Sequence, residues 1–180
     1  KNCRNTENIA ITSMRPLGKD KKPKMFQGCV KGVSPDMHIA SSEADSLEYL
    51  NKVLKKLTDE KYEDIVILTC TTEDQSWLSA HCVNGSYPFN NRQIKFTSCR
   101  KFKGLEADAI ILVDVTRNTF DVGGNNLVFY VGASRARFRL SIIVNMSDDE
   151  CKFVSEILGN TLQGKPPRTM LAASLNALLQ

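Results

Sequence analysis

The chain has 180 residues, 42% of them hydrophobic and 24% charged, with a formal net charge of +4. That is the profile of one well-buried globular domain with room for a small appendage. A balance of 24 Lys and Arg against 20 Asp and Glu is too mild to specify a nucleic-acid partner by itself, and no apolar run approaches the ~20 residues that a bilayer crossing needs.

The chain opens on KNCRNTENIA, with no secretory apolar region and no initial Met, as in a segment of something larger. Arg4 stands there among polar residues ahead of a helix. Residues 15–31, RPLGKDKKPKMFQGCVK, are basic and turn-rich and read as a solvated loop. A short strand at MHIA precedes SSEADSLEYLNKVLKKLTDE. In that segment Ala44, Leu47, Leu50, Val53, Leu54 and Leu57 recur at helical spacing, and Ser42 with Asp45 forms an N-terminal capping arrangement. DIVILTC is a continuous β-branched run, which suits a strand buried on both faces. DQSWLSAHC reads as a short helix, with Trp77 in the core.

IKFTSC alternates weakly, as a strand. ADAIILVDV, residues 107–115, is the strongest strand in the chain, with Asp114 a turn or cap residue at its end. LSIIV, residues 140–144, is another. SDDECKFVSEILG carries helix punctuation: Ser147 and Glu150 as a capping box, and Gly159 as the stop. After Pro166-Pro167, RTMLAASLNALL is a helical tail whose apolar face needs a partner. Strands alternating with helices specify an α/β fold, a mainly parallel sheet flanked by helices on both faces, with ligands expected beyond the carboxyl ends of the strands.

Six cysteines lack any CxxC pair, and His38 and His81 share no metal-ligand spacing with them, which argues against a zinc site. Reduced, mostly buried thiols in a cytoplasmic protein are the expectation.

Three stretches hold the chemistry: KNCRNT at the start, RKFKGLEADAIILVD before the strongest strand, and YVGASRARFRL at residues 130–140. Each alone has a bland reading as surface residue, turn or basic helix edge. In order and spacing they resemble the second RecA-like motor domain of superfamily 1 helicases of the UvrD/Rep/PcrA type. NCRNT looks like motif IV, KFKGLEADAIILV like motif V, and YVGASRARFRL like motif VI. ILTCTTEDQSWL, residues 67–78, resembles the segment between them. The resemblance spans residues 1–158, leaving 159–180 as a linker and C-terminal helix.

The resemblance implies that Arg4 and Arg135 reach the γ-phosphate of ATP across a cleft between two motor domains. It also implies that Glu106 accepts a hydrogen bond from the ribose and that Gly104 allows close backbone approach. Guanidinium suits the first role because its planar fork meets phosphate oxygens bidentately and stays charged. For single-stranded DNA the resemblance points to Ser98 and Arg100, and more loosely to Gln75. Arg137 and Arg139 have no role in the motif and read as exposed or phosphate-backbone contacts.

The chain departs from the family pattern at Arg100, where motif V usually has His, and at Thr71, where the intervening segment usually has Arg. Between Cys82 and Ile94 there is room only for a short loop, where larger members insert a whole domain. No G-x-x-x-x-G-K-[ST] phosphate loop occurs in the chain. ATP and its Mg2+ would therefore be held by an N-terminal RecA-like domain of the same polypeptide, and this segment alone would be inactive. The reading set against this is a non-catalytic RecA-like interaction or regulatory module.

Overall fold

The central strands are near-continuous hydrophobic runs, as a doubly covered sheet requires. In the computed structural model, which describes residues 5–18, 23–25, 27–121 and 126–180, strand β5 (Ala107–Val115) sends Ala109, Ile111 and Val113 to one face and Ile110 and Leu112 to the other. The remaining strands are β1 (Asp36–Ala40), β2 (Ile65–Thr69), β3 (Ser86–Phe89), β4 (Arg92–Ser98) and β6 (Ala136–Asn145). They form one six-stranded sheet in the order β1-β6-β5-β2-β4-β3. Every described pairing is parallel except that of β3 with β4.

Helix α2 (Glu43–Asp59) covers one face through Leu50, Val53, Leu54 and Leu57. Helices α1 (Glu7–Met14), α3 (Asn126–Ala133), α4 (Asp148–Ile157) and α5 (Arg168–Leu179) cover the other. The tail helix finds its partner in the chain itself: Leu171, Leu175 and Leu179 enter the core beside Cys151 and Val154 of α4. Arg168, its first residue, donates to the carbonyls of Ala40 and Met146, at the carboxyl ends of β1 and β6, and pairs with Asp148. The last turn of the sheet edge is thereby bolted to the tail.

Both expected caps form. Ser147 and Glu150 make a reciprocal capping box at α4, and Ser42 accepts from the Asp45 amide at α2. The Asp45 carboxylate turns back to the Ser41 amide and to His38 Nε2 at 2.6 Å. Burial raises that carboxyl, but the Ser41 and His38 contacts outweigh it and hold it below the ordinary carboxylate range.

Three elements differ from expectation. DQSWLSAHC forms two separate 3-10 turns, Glu73–Gln75 and Ser79–His81, because Ser76 between them is extended. The short loop expected before Ile94 contains β3, whose Tyr87 and Phe89 are buried and which hairpins into β4 through Asn90 at φ 51°. The LSIIV strand extends back to Ala136, over charged residues that an apolar pattern does not flag. Among the described residues, no helix is long and apolar enough to cross a membrane.

Candidate functional site

The site residues divide between the two ends of the sheet. At the amino ends of β5 and β6, Arg135 occupies the turn between α3 and β6. Its carbonyl accepts from the Ala107 amide, stitching the turn to the start of β5. Its Nε donates to the Val131 carbonyl at 2.9 Å, and its Nη2 lies 3.5 Å from Ser134 Oγ. The side chain is half-buried, and no carboxylate among the described residues pairs with it. A partly desolvated guanidinium held by neutral acceptors alone keeps its charge available for an incoming anion.

Arg4 lies outside the described residues. Its neighbour Asn5 is buried, and Asn5 Nδ2 donates to the Ser134 carbonyl at 2.8 Å and the Ala136 carbonyl at 2.6 Å, the two carbonyls flanking Arg135. The Thr6 amide donates to the Arg137 carbonyl at 3.3 Å. Residues 5–6 and 134–137 are thus clamped together across more than a hundred residues of sequence. Asn5→Ala should cost ~2 kcal/mol, since it leaves two carbonyls without this donor. Urea unfolding measures the loss, and an unchanged midpoint would show that the clamp contributes nothing.

Glu106 is half-buried immediately before β5, and Gly104 stands two residues earlier at φ 91°. This left-handed backbone favours glycine over any residue with a Cβ. Arg137 is exposed, as expected, whereas Arg139 is largely buried, and each is engaged by a carboxylate of the chain. Arg137 pairs with Asp108 at 2.6 Å, and Arg139 is held by both carboxylate oxygens of Glu60. They lie on a strand, where those acids face them, and their charge is committed within the chain.

At the carboxyl ends of β2 and β4 lie Gln75, Ser98 and Arg100. Arg100 and Gln75 are exposed, and Gln75 Oε1 accepts from Thr71 Oγ1 at 3.1 Å. Ser98 is only 4% exposed. Its amide donates to Glu73 Oε1 at 3.0 Å, beside Thr97 Oγ1 at 2.9 Å, while Lys101 Nζ lies 3.0 Å from Glu73 Oε2. Burial would raise the Glu73 carboxyl, but the Ser98 amide, Lys101 and the Thr97 hydroxyl outweigh it and hold it at about 2. A depressed folded-state value stabilises above the ordinary range and loses that stabilisation as pH falls. The stability difference between the native chain and Glu73→Gln should therefore be full near neutrality and shrink as pH drops from about 4.5 toward 2. Urea titrations at successive pH values measure it, and a pH-independent difference would contradict the network.

Asp114 is more than the turn or cap residue expected from sequence. It sits within β5 at φ 57°, and one oxygen accepts from Thr69 Oγ1 and Ser76 Oγ, both at 2.6 Å. Burial raises its carboxyl despite these bonds. Asp114 thereby ties the 70–77 loop to the sheet. Trp77, in that loop, packs against the core and is half-buried rather than fully enclosed.

A crevice of about 510 Å³ opens where β1 and β6 send their helices to opposite faces, lined by Ala40, Ser42, Trp77, Asn145 and Arg168. Arg168 there is spent on backbone carbonyls and Asp148. Among the described residues no group of three or more His, Cys, Asp and Glu could hold a metal ion. The described cysteines are unbridged, with Cys70, Cys99 and Cys151 buried.

Of the site residues, Asn5, Glu73 and Asp114 went unremarked in a functional role. Asn5 had a signal, adjacency to Arg4 in the NCRNT stretch. Glu73 and Asp114 had none beyond being carboxylates near strand ends.

A mainly parallel α/β sheet with helices on both faces and a docked C-terminal helix fits a RecA-like fold. The chain is similar to a solved structure described as the C-terminal domain of a possible DNA helicase from Lactobacillus plantarum WCFS1. The TM-score is 0.56 at 16% identity, over 81% of this chain and 88% of that one. At that identity the likeness is one of fold. No protein-family model and no curated protein matches the sequence.

Proposed function

We propose that this chain is the C-terminal motor half of an ATP-dependent DNA helicase or translocase of superfamily 1, working in the cytoplasm with an N-terminal RecA-like lobe of the same polypeptide. The observation that carries the reading is the Asn5 clamp: the residue after Arg4 grips the backbone on both sides of an Arg135 that no described carboxylate neutralises. The fold likeness to a helicase C-terminal domain supports it.

ATP, with Mg2+ held by the other lobe, supplies a phosphoryl group whose transfer redistributes negative charge onto its non-bridging oxygens. Arg135 fits that group, since its Nε is oriented by Val131 and its guanidinium charge is uncommitted. In this reading Arg135 and Arg4 donate to the γ-phosphate, Glu106 orients the ribose, and Gly104 gives the backbone its close approach. Closing the cleft is then favoured by differential affinity of the arginines for the nucleotide-bound state. Arg100 and Gln75 line the path of a single strand at the opposite end of the sheet.

The alternative, a RecA-like module kept for interaction or regulation, draws on the commitment of the Ser98 amide to Glu73. ATP hydrolysis by the polypeptide carrying both lobes, with and without single-stranded DNA, separates the two. Turnover indifferent to Arg135→Ala would favour the module.

A further inference from the structure

Glu73 occupies a set of donors that would suit a phosphate equally well. A hydroxyl (Thr97), a backbone amide (Ser98) and an ammonium (Lys101) converge on its two oxygens at 2.9–3.0 Å. That combination is how proteins hold phosphate oxygens on a nucleic-acid backbone. The surroundings are cationic as well. Arg100, two residues after Ser98, and Lys95, three before it on β4, are exposed and pair with no carboxylate among the described residues, although Lys95 lies over the Phe102 ring and the exposed Asp74 adjoins Glu73.

The carboxylate is delivered on the 3-10 turn Glu73–Gln75, while the far side of the same loop is fastened by Asp114 to Ser76 and to the Trp77 amide. Glu73 can therefore swing out by side-chain rotation while the loop stays attached. Its side chain is 27% exposed, so the way to solvent is short.

We infer that Thr97, the Ser98 amide and Lys101 form an oxyanion site on the single-strand path, filled from within by Glu73, which a DNA backbone phosphate must displace. This rests on the reading of the carboxyl-end surface as a nucleic-acid path. The exchange swaps one anion for another: Glu73 returns to water, and the phosphate takes its donors. Lys101 is neutralised before and after, so in the native chain it releases no counterion on binding. With Glu73 neutral it would release its own. Glu73 thus acts as an internal competitor that lowers affinity and flattens the salt dependence.

The test pairs two probes on the native chain and on Glu73→Gln. Anisotropy of fluorescein-labelled oligo(dT) reads nucleic-acid binding, and amide spectra during titration with inorganic phosphate follow the Ser98 resonance. Glu73→Gln should bind oligo(dT) about tenfold more tightly at low salt, with a log K against log salt slope steeper by ~0.7. Adding Lys101→Ala should cancel the gain. Phosphate should move the Ser98 amide at lower concentration in Glu73→Gln than in the native chain.

If oligo(dT) binds both chains with equal affinity and slope, the competitor role is overturned while the nucleic-acid reading stands. If phosphate moves Ser98 but neither chain binds oligo(dT), the oxyanion site stands and the nucleic-acid reading falls. A Ser98 amide indifferent to phosphate in Glu73→Gln makes Glu73 a structural cap and overturns the inference. Should Glu73→Gln lose its folded spectrum, Glu73→Asp, one methylene too short to reach all three donors, takes its place with a smaller gain expected.

Discussion

In a polypeptide carrying both lobes, Arg135→Ala is expected to lower kcat for ATP hydrolysis about a thousandfold or more, the range of an arginine that stabilises phosphoryl transfer. The loss should fall on kcat and kcat/KM together, because the contact strengthens as charge moves onto the transferring group. Stability should barely change. Arg135 has no carboxylate partner among the described residues, so truncation strands no buried charge. Arg135→Lys should recover little, because a lysine lacks both the Nε–H that bonds Val131 and the bidentate fork. Steady-state hydrolysis with single-stranded DNA present, alongside thermal melting, reads both effects. A rate within about threefold of the native protein would remove Arg135 from the chemistry.

The second large effect is structural and lies three residues earlier. Gly132 is inside α3, and a Cβ built there would sit 2.5 Å from Cys99 Sγ and 2.8 Å from Leu112 Cδ1. Helix α3 lies against the sheet at a distance only glycine permits. Two terms oppose each other on substitution. Alanine in a helix interior gains ~1 kcal/mol over glycine, while overpacking a close-packed core costs ~1–3 kcal/mol and more for a branched side chain. Here the neighbours are core atoms, fully buried on a central strand and beside it, and the packing term wins. Gly132→Val should lose ~3 kcal/mol or more and lower Tm by about 6–12 °C, with Gly132→Ala intermediate. Circular dichroism melts measure it. A Gly132→Ala chain that melts higher than the native one would mean that α3 stands farther off. Because Arg135 follows directly from this helix, Gly132→Ala should also blunt hydrolysis more than its stability loss explains.

Much of this architecture was legible because burial on both faces leaves a periodic signature. The runs at 65–68 and 109–113 are apolar throughout, and the capping serines at 42 and 147 announce their helices. Strand β3 escaped because it is only four residues long and Pro88, a residue that argues against a strand, stands between Tyr87 and Phe89. The amino half of β6 escaped because its charges are neutralised by Asp108 and Glu60, which only the tertiary fold brings to them. The candidate site divides the same way. Arg135 and Glu106 stand out within short motifs. The pairing of Glu73 with the Ser98 amide depends on the turn after β2 meeting the end of β4, 25 residues away, at the carboxyl ends of these strands, and nothing local in either stretch encodes that meeting.

The connection from β4 to β5 has a mechanical consequence. Ser98 stands level with Val113, through their shared neighbour Thr69, whereas Ala107 begins β5 six positions lower, ~20 Å away along the strand. Residues 99–106 must cover that distance while stepping over β2 and making turns of their own, with Phe102 pinned in the core. The nine Cα–Cα steps from Ser98 to Ala107 reach ~31 Å at full stretch, and the turns take up the surplus, so this is a short strap. Arg100 at one end and Gly104 and Glu106 at the other are thus joined by a single short segment anchored midway at Phe102. A longer, looser strap would let the two ends of the molecule fall out of step.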